Sequence, residues 1–186
     1  MDVSLRLMRV RIMDKSVKKN LMYLSGEDFY LFCYSVFIIL DSLGCSEGKY
    51  FKDYRKISFL IEFIKDSKLN FILEVLAKNN LSAVDKEYLF HSYSSGMARR
   101  SEILKLLFTL EKRQFVSLER GKNSSFVNVT LNKDSVPDGF FSEDIFSVEY
   151  ENITKLKMVV KRLSTLTLEK MLERIYKDNG ISTWAV

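Results

Sequence analysis

Proline occurs once, at Pro137, and glycine only seven times in 186 residues, so few positions force the chain to turn. That scarcity of breakers predicts a mostly helical fold with short connections. Two cysteines, Cys33 and Cys45, and one histidine, His91, are too few soft ligands for a structural zinc site, which takes four at short spacings. General acid–base catalysis also lacks its usual residue, since His91 stands between Tyr88 and Tyr93 with no acid partner evident from the sequence. Gly121-Lys122-Asn123-Ser124 lacks the upstream glycine and the spacing of a phosphate-binding loop. Neither a GxSxG elbow nor a paired-carboxylate nuclease motif is present. These absences predict a chain that is not an enzyme, with no cofactor, no metal and no small-molecule substrate.

Long apolar runs are missing too. The longest, Phe29 to Leu40, is bounded by Asp28 and Asp41 and falls short of the ~18 residues a membrane span needs. Met1-Asp2-Val3-Ser4 has no basic-then-apolar signal layout. The expectation is a soluble, cytoplasmic protein without membrane contact. Apolar residues make up 47% of the chain and aromatics 13%, enough to build a core and exclude global disorder.

Charge is unevenly placed. Residues 1–20 carry six Lys or Arg against Asp2 and Asp14, most of the formal net charge of +5. Asp134 to Glu151 holds six acids and no base, and Lys155 to Asp178 returns to basic with seven Lys or Arg against three acids. The chain therefore divides into a basic arm (1–20), a helical region (21–133), an acidic connector (134–152) and carboxy-terminal helices with a tail (153–186).

Local signals fill in the elements. Ser25 is a candidate cap for a helix ending at Gly44, apolar on both sides and so expected to be central and buried. Further helices are expected near Asp53 to Ile64, Asn70 to Lys78 and, capped by Ser82, Val84 to Tyr93. Ser94-Ser95-Gly96-Met97 reads as a short break, after which Ser101 caps a helix through Leu110. Beyond Arg113 the apolar period drops to two. Phe115–Arg120 and Phe126–Leu131 read as paired strands joined by Gly121 to Ser125. Helix, turn, helix and hairpin is the order of a winged helix-turn-helix. After the turn at Val136 to Gly139, two more helices carry Ile153 to Leu163 and Leu168 to Ile175, with Trp184 in a tail.

In a winged helix the second helix enters the major groove while the wing adds phosphate contacts. Arg99, Arg100 and Lys105 at that helix, Arg120 and Lys122 at the wing, and Arg6, Arg9 and Arg11 in the arm are the candidate DNA contacts. Glu102 and the density of apolar residues from Ile103 to Leu110 argue against base reading, so binding mainly through phosphates is expected. Phe140, Phe141, Ile145, Phe146 and Trp184 are candidate anchors for a protein partner.

The runs Tyr54-Arg55-Lys56-Ile57-Ser58-Phe59-Leu60-Ile61 and Ile103-Leu104-Lys105-Leu106-Leu107-Phe108-Thr109-Leu110-Glu111-Lys112-Arg113-Gln114-Phe115-Val116 carry a resemblance. Over residues 25–175 the chain resembles the small middle components of bacterial ABC-three-component systems, including the Lamassu type. It equally resembles the broader set of winged-helix accessory subunits of chromosome-maintenance ATPases. The resemblance implies a subunit that sits with an SMC-like ATPase and an effector such as a nuclease, in defence against phage or plasmid DNA. It supplies no catalytic residue. The alternative is a dimeric winged-helix transcriptional regulator reading specific DNA through Ser101 to Thr109.

Overall fold

The computed structural model describes residues 27–76, 81–121, 126–137, 139–142 and 144–184. These form a mostly helical protein with one small antiparallel sheet. Helix α1 spans Glu27–Ser42. From Ser35 to Leu40 it is buried on every side. It ends where expected, at Gly44, whose φ of 64° is cheap for glycine. The Gly44 amide donates to Asp41 O and the Cys45 amide to Leu40 O, the paired bonds that close a helix on a left-handed residue. The proposed Ser25 cap lies outside the described residues.

Helix α2 spans Arg55–Lys65 and buries eight of its residues, including Lys56 and Ser58. It is the hub of the fold, packing against α1 and every later helix. Helix α3 (Ser67–Leu76) starts three residues earlier than its apolar pattern indicates, because Asp66 accepts the Lys68 amide at 2.8 Å and caps it. Helix α4 (Ala83–Ala98) is capped by Ser82, which accepts the Asp85 amide and donates to the Asp85 carboxylate.

The expected break at Ser94 to Met97 does not occur. α4 continues through it, and Gly96 serves packing instead: a Cβ there would lie 2.5 Å from the Phe59 ring of α2. The turn is the single residue Arg99, and Ser101 lies inside α5 (Arg100–Lys112) and does not cap it. α5 closes on Gln114, at φ 64°, with Phe115 N bonded to Leu110 O.

Strands β1 (Val116–Arg120) and β2 (Val127–Leu131) pair antiparallel from Val116↔Leu131 to Arg120↔Val127. The free side of β2 is covered by residues 45–54. Cys45 O accepts from the Leu131 amide, Phe51 exchanges two bonds with Val129, and Tyr54 donates to Val127 O. This irregular third line shields the edge of β2, and local periodicity did not foretell it.

After β2 come 3-10 turns at Lys133–Ser135, Phe140–Ser142 and Asp144–Phe146. Between the first two, the Phe140 amide bonds to Pro137 O, one residue later than a turn over Val136 to Gly139 would be closed. Helix α6 (Ser147–Val159) begins inside the acidic stretch and runs past its end. It stops before Val160 and Leu163, which are buried in a loop and not on the helix. Helix α7 (Leu168–Ile175) is capped by Thr167, and Gly180 at φ 78° ends the turn that follows. One apolar cluster runs from Phe32 in α1 to Ile181 near the tail, so the carboxy-terminal helices share the core of the preceding region. No described helix is long and apolar enough to cross a membrane.

Candidate nucleic-acid interface

The single-residue turn between α4 and α5 sends its two arginines to different places. Arg99 forms an ion pair with Glu62 of α2 and lies 5.6 Å over the Phe32 ring, so its charge is already engaged inside the fold. Arg100 instead lies beside Met97, its Nη1 3.8 Å from the sulfur. Burial, then the neighbouring Arg55 charge, lowers its pKa from the usual guanidinium value.

Arg55 opens α2 and is fixed by Asp53. Its Nε donates to Asp53 Oδ1 at 2.8 Å and its Nη2 to Oδ2 at 2.7 Å, a bidentate pair. That hydrogen bonding raises the Arg55 pKa. Asp53 is itself buried at φ 65°, and its amide donates to Asn128 Oδ1 on β2. The network ties the start of α2 to the hairpin. It also sets the Arg55 guanidinium 5.6 Å from the centre of the Phe126 ring, one residue before Val127, the partner of Arg120. Arg120 is exposed at the end of β1, paired with Val127.

Lys105 is exposed on α5. With Ser101, Phe108 and Lys112 it makes an open line at i, i+4, i+7 and i+11, where Phe108 is 53% exposed. Glu102 is exposed beside it, while Ile103, Leu106, Leu107 and Leu110 face the core. Arg6, Arg9, Arg11 and Lys122 lie outside the described residues. Arg55 was missed because nothing local in Tyr54-Arg55-Lys56 distinguishes it. Its role depends on Asn128 and Phe126, more than 70 residues away.

The expected partner anchors separate. Phe140, only 4% exposed, and Phe146 are core residues, a correction to their placement on an interface. Phe140 sits among Tyr34, Phe37, Phe141 and Phe146 with ring centres 5.0–5.8 Å apart, holding the acidic stretch onto α1. Phe141 and Ile145 are half-buried at the edge of this cluster. Trp184 is 54% exposed, laid edge-on against Tyr93 and Phe90, and its carbonyl accepts the Tyr93 hydroxyl.

Reactive groups elsewhere are subdued. Burial pushes the Cys33 thiol up to about 12 and the Cys45 thiol up to about 11, leaving both neutral near pH 7. His91 is exposed, 4.0 Å from Glu87 one helical turn away, an acid neighbour that sequence reading overlooked. Among the described residues no group of His, Cys, Asp and Glu is arranged to hold a metal. No protein-family model, curated protein or solved structure matches the chain.

Proposed function

We propose that the chain is a non-enzymatic accessory subunit whose α4, α5 and hairpin form a winged helix-turn-helix. It docks onto an SMC-like ATPase and an effector in a cytoplasmic anti-phage or anti-plasmid complex, and it holds DNA by its phosphates without reading bases. The observation that carries this reading is the open line of α5. Ser101, Lys105, Phe108 and Lys112 place a large aromatic at the centre of that face and carry no Asn or Gln for bidentate reading of adenine. Arg100 opens α5 and Arg120 ends β1, where they suit phosphate oxygens, whereas Arg55 is held by Asp53. Phe108 and Trp184 supply exposed aromatic area for protein partners.

The test has two arms. Affinity purification of the tagged chain co-expressed with its chromosomal neighbours, under nuclease and high salt, is expected to retain a coiled-coil ATPase in fixed ratio. Titration with random duplex DNA over a salt series is expected to give a steep slope that flattens when Arg100 and Arg120 are replaced by Ala. Recovery of a lone homodimer binding one short duplex ~10³-fold above random sequence would replace this reading with the transcriptional regulator.

A further inference from the structure

A groove of about 840 Å³ lies between the start of α1 and the end of α5. Phe29, Tyr30 and Phe37 line it from α1, and Leu110 and Phe115 from the other side. Clefts of this size, walled by apolar and aromatic side chains with few polar groups among them, are where proteins take small molecules. Phe29 and Tyr30 meet edge to face with ring centres 5.6 Å apart, and Phe37 lies 5.5 Å from Phe115, so both walls are aromatic. Phe29 is 38% and Tyr30 55% exposed, which leaves ring area for an apolar body to cover.

Arg113 is the one charged side chain among the described residues that line the groove. It is exposed and has no ion pair among the described residues. Its charge reaches the Cys33 thiol on the α1 side, where it opposes part of the rise that burial imposes. A single unanswered guanidinium beside aromatic walls is complementary to one negative charge on an apolar body. A carboxylate carries one such charge near pH 7 and accepts two parallel N–H bonds from arginine. A phosphate monoester carries nearly two and would leave one without a partner here.

We propose that this groove binds a small aromatic carboxylate, its ring against Phe29, Tyr30 and Phe37 and its carboxylate on Arg113. The site stands apart from the accessory-subunit reading, since none of these residues is a candidate DNA contact.

Titration of the full chain with naphthaleneacetate, followed through backbone amide shifts by NMR, tests this. The shifts are expected to saturate and to centre on residues 29–37 and 110–115. Naphthaleneacetamide, nearly the same shape without the charge, is expected to bind at least ~10-fold more weakly. Arg113→Gln is expected to abolish that difference, and Arg113→Lys to restore part of it. Arg113 is exposed and unpaired, so both variants keep the fold, as unchanged α2 amide shifts would report. Shifts that do not saturate, that centre elsewhere, or that give acid and amide equal affinity overturn the proposal. So does a dimer in sedimentation velocity that shuts the carboxylate out, because the aromatic face then belongs to a second copy.

Discussion

The Lys56 ammonium donates to the Leu163 carbonyl oxygen at 2.6 Å, across 107 residues of chain. Its other donors reach Ser164 O at 3.2 Å and Leu166 O at 2.9 Å, and the Phe51 ring lies 4.2 Å away. A fully buried cation thus replaces the hydrogen bonds that the loop between α6 and α7 cannot make for itself. Lys56→Met keeps the volume but removes the donors. Relief of cation burial offsets part of the loss, yet Leu163 O and Leu166 O lose their Lys56 donor. The net expectation is a loss of about 2 kcal/mol in urea unfolding near pH 7, with faster amide exchange confined to residues 160–167.

Gly96→Ala decides between two effects of opposite sign. Alanine gains up to ~1 kcal/mol over glycine in an open helix interior. Against that, its methyl would fall 2.5 Å from Phe59 Cδ1, a ring wedged against Tyr93 and Tyr176 with little room to move. Overpacking of this kind costs about 1–3 kcal/mol, so net destabilisation is expected, measured as a lower urea midpoint at unchanged slope. Stabilisation would show that α4 can slide away from α2.

Arg99 and Arg100 are neighbours with separable effects. Arg99→Ala strands Glu62, which is largely covered, and uncovers Phe32, so it should lower stability by about 1 kcal/mol and leave DNA affinity almost unchanged. Arg100→Ala removes a cation whose charge is opposed by burial, so it should leave stability nearly as it was. Its effect belongs on DNA: weaker binding to every sequence and a shallower salt slope. Equal effects of the two substitutions on both readouts would sink the division between them.

Much of the fold was legible because its signals are local. Gly44 and Ser82 mark helix ends by chemistry that acts within five residues, and the two-residue period of 116–131 gives the hairpin directly. Gly96 misled because a glycine that admits a neighbouring helix looks the same in sequence as one that breaks its own. The role of Lys56 was hidden for a related reason: three carbonyls more than 100 residues later decide whether a lysine in Tyr54-Arg55-Lys56-Ile57 is solvated or caged. Arg100 and Arg120 were found as charges. The placing of Arg55 against Phe126 required the pairing of Tyr54 with Val127.

Aromatic residues suspected of anchoring a partner divide by burial. Phe140→Ala empties the centre of a five-ring cluster and should cost ~3–5 kcal/mol, seen as a large drop in thermal midpoint. Trp184→Ala removes a half-exposed ring at the tail and should cost less than about 1 kcal/mol of stability. If the tail is a docking anchor, the same substitution weakens the purified complex about 30-fold. Unchanged complex affinity for Trp184→Ala would restrict the partner surface to Phe108 and its surroundings.

Stability should pass through a maximum near pH 9, set by Lys56 on one side and the thiols on the other. Burial pushes Lys56 down to about 7 from the usual 10.5, against the pull of Asp53, which favours the cation. Between those values the unfolded chain binds a proton that the folded chain has released, so stability rises with pH, by at most about 1.4 kcal/mol per unit for one proton. Cys33 and Cys45 act with the opposite sign. Their folded pKa values of about 12 and 11 lie above the usual 9.0, so from pH 9 upward the unfolded chain loses two protons that the folded chain keeps. One proton of rise against two of fall turns the curve downward there. Urea unfolding from pH 6.5 to 10.5 checks this, and Lys56→Met is the control: it should abolish the rise between pH 7 and 9 and leave the fall above it. A rise that persists in that variant would have to come from a group other than Lys56.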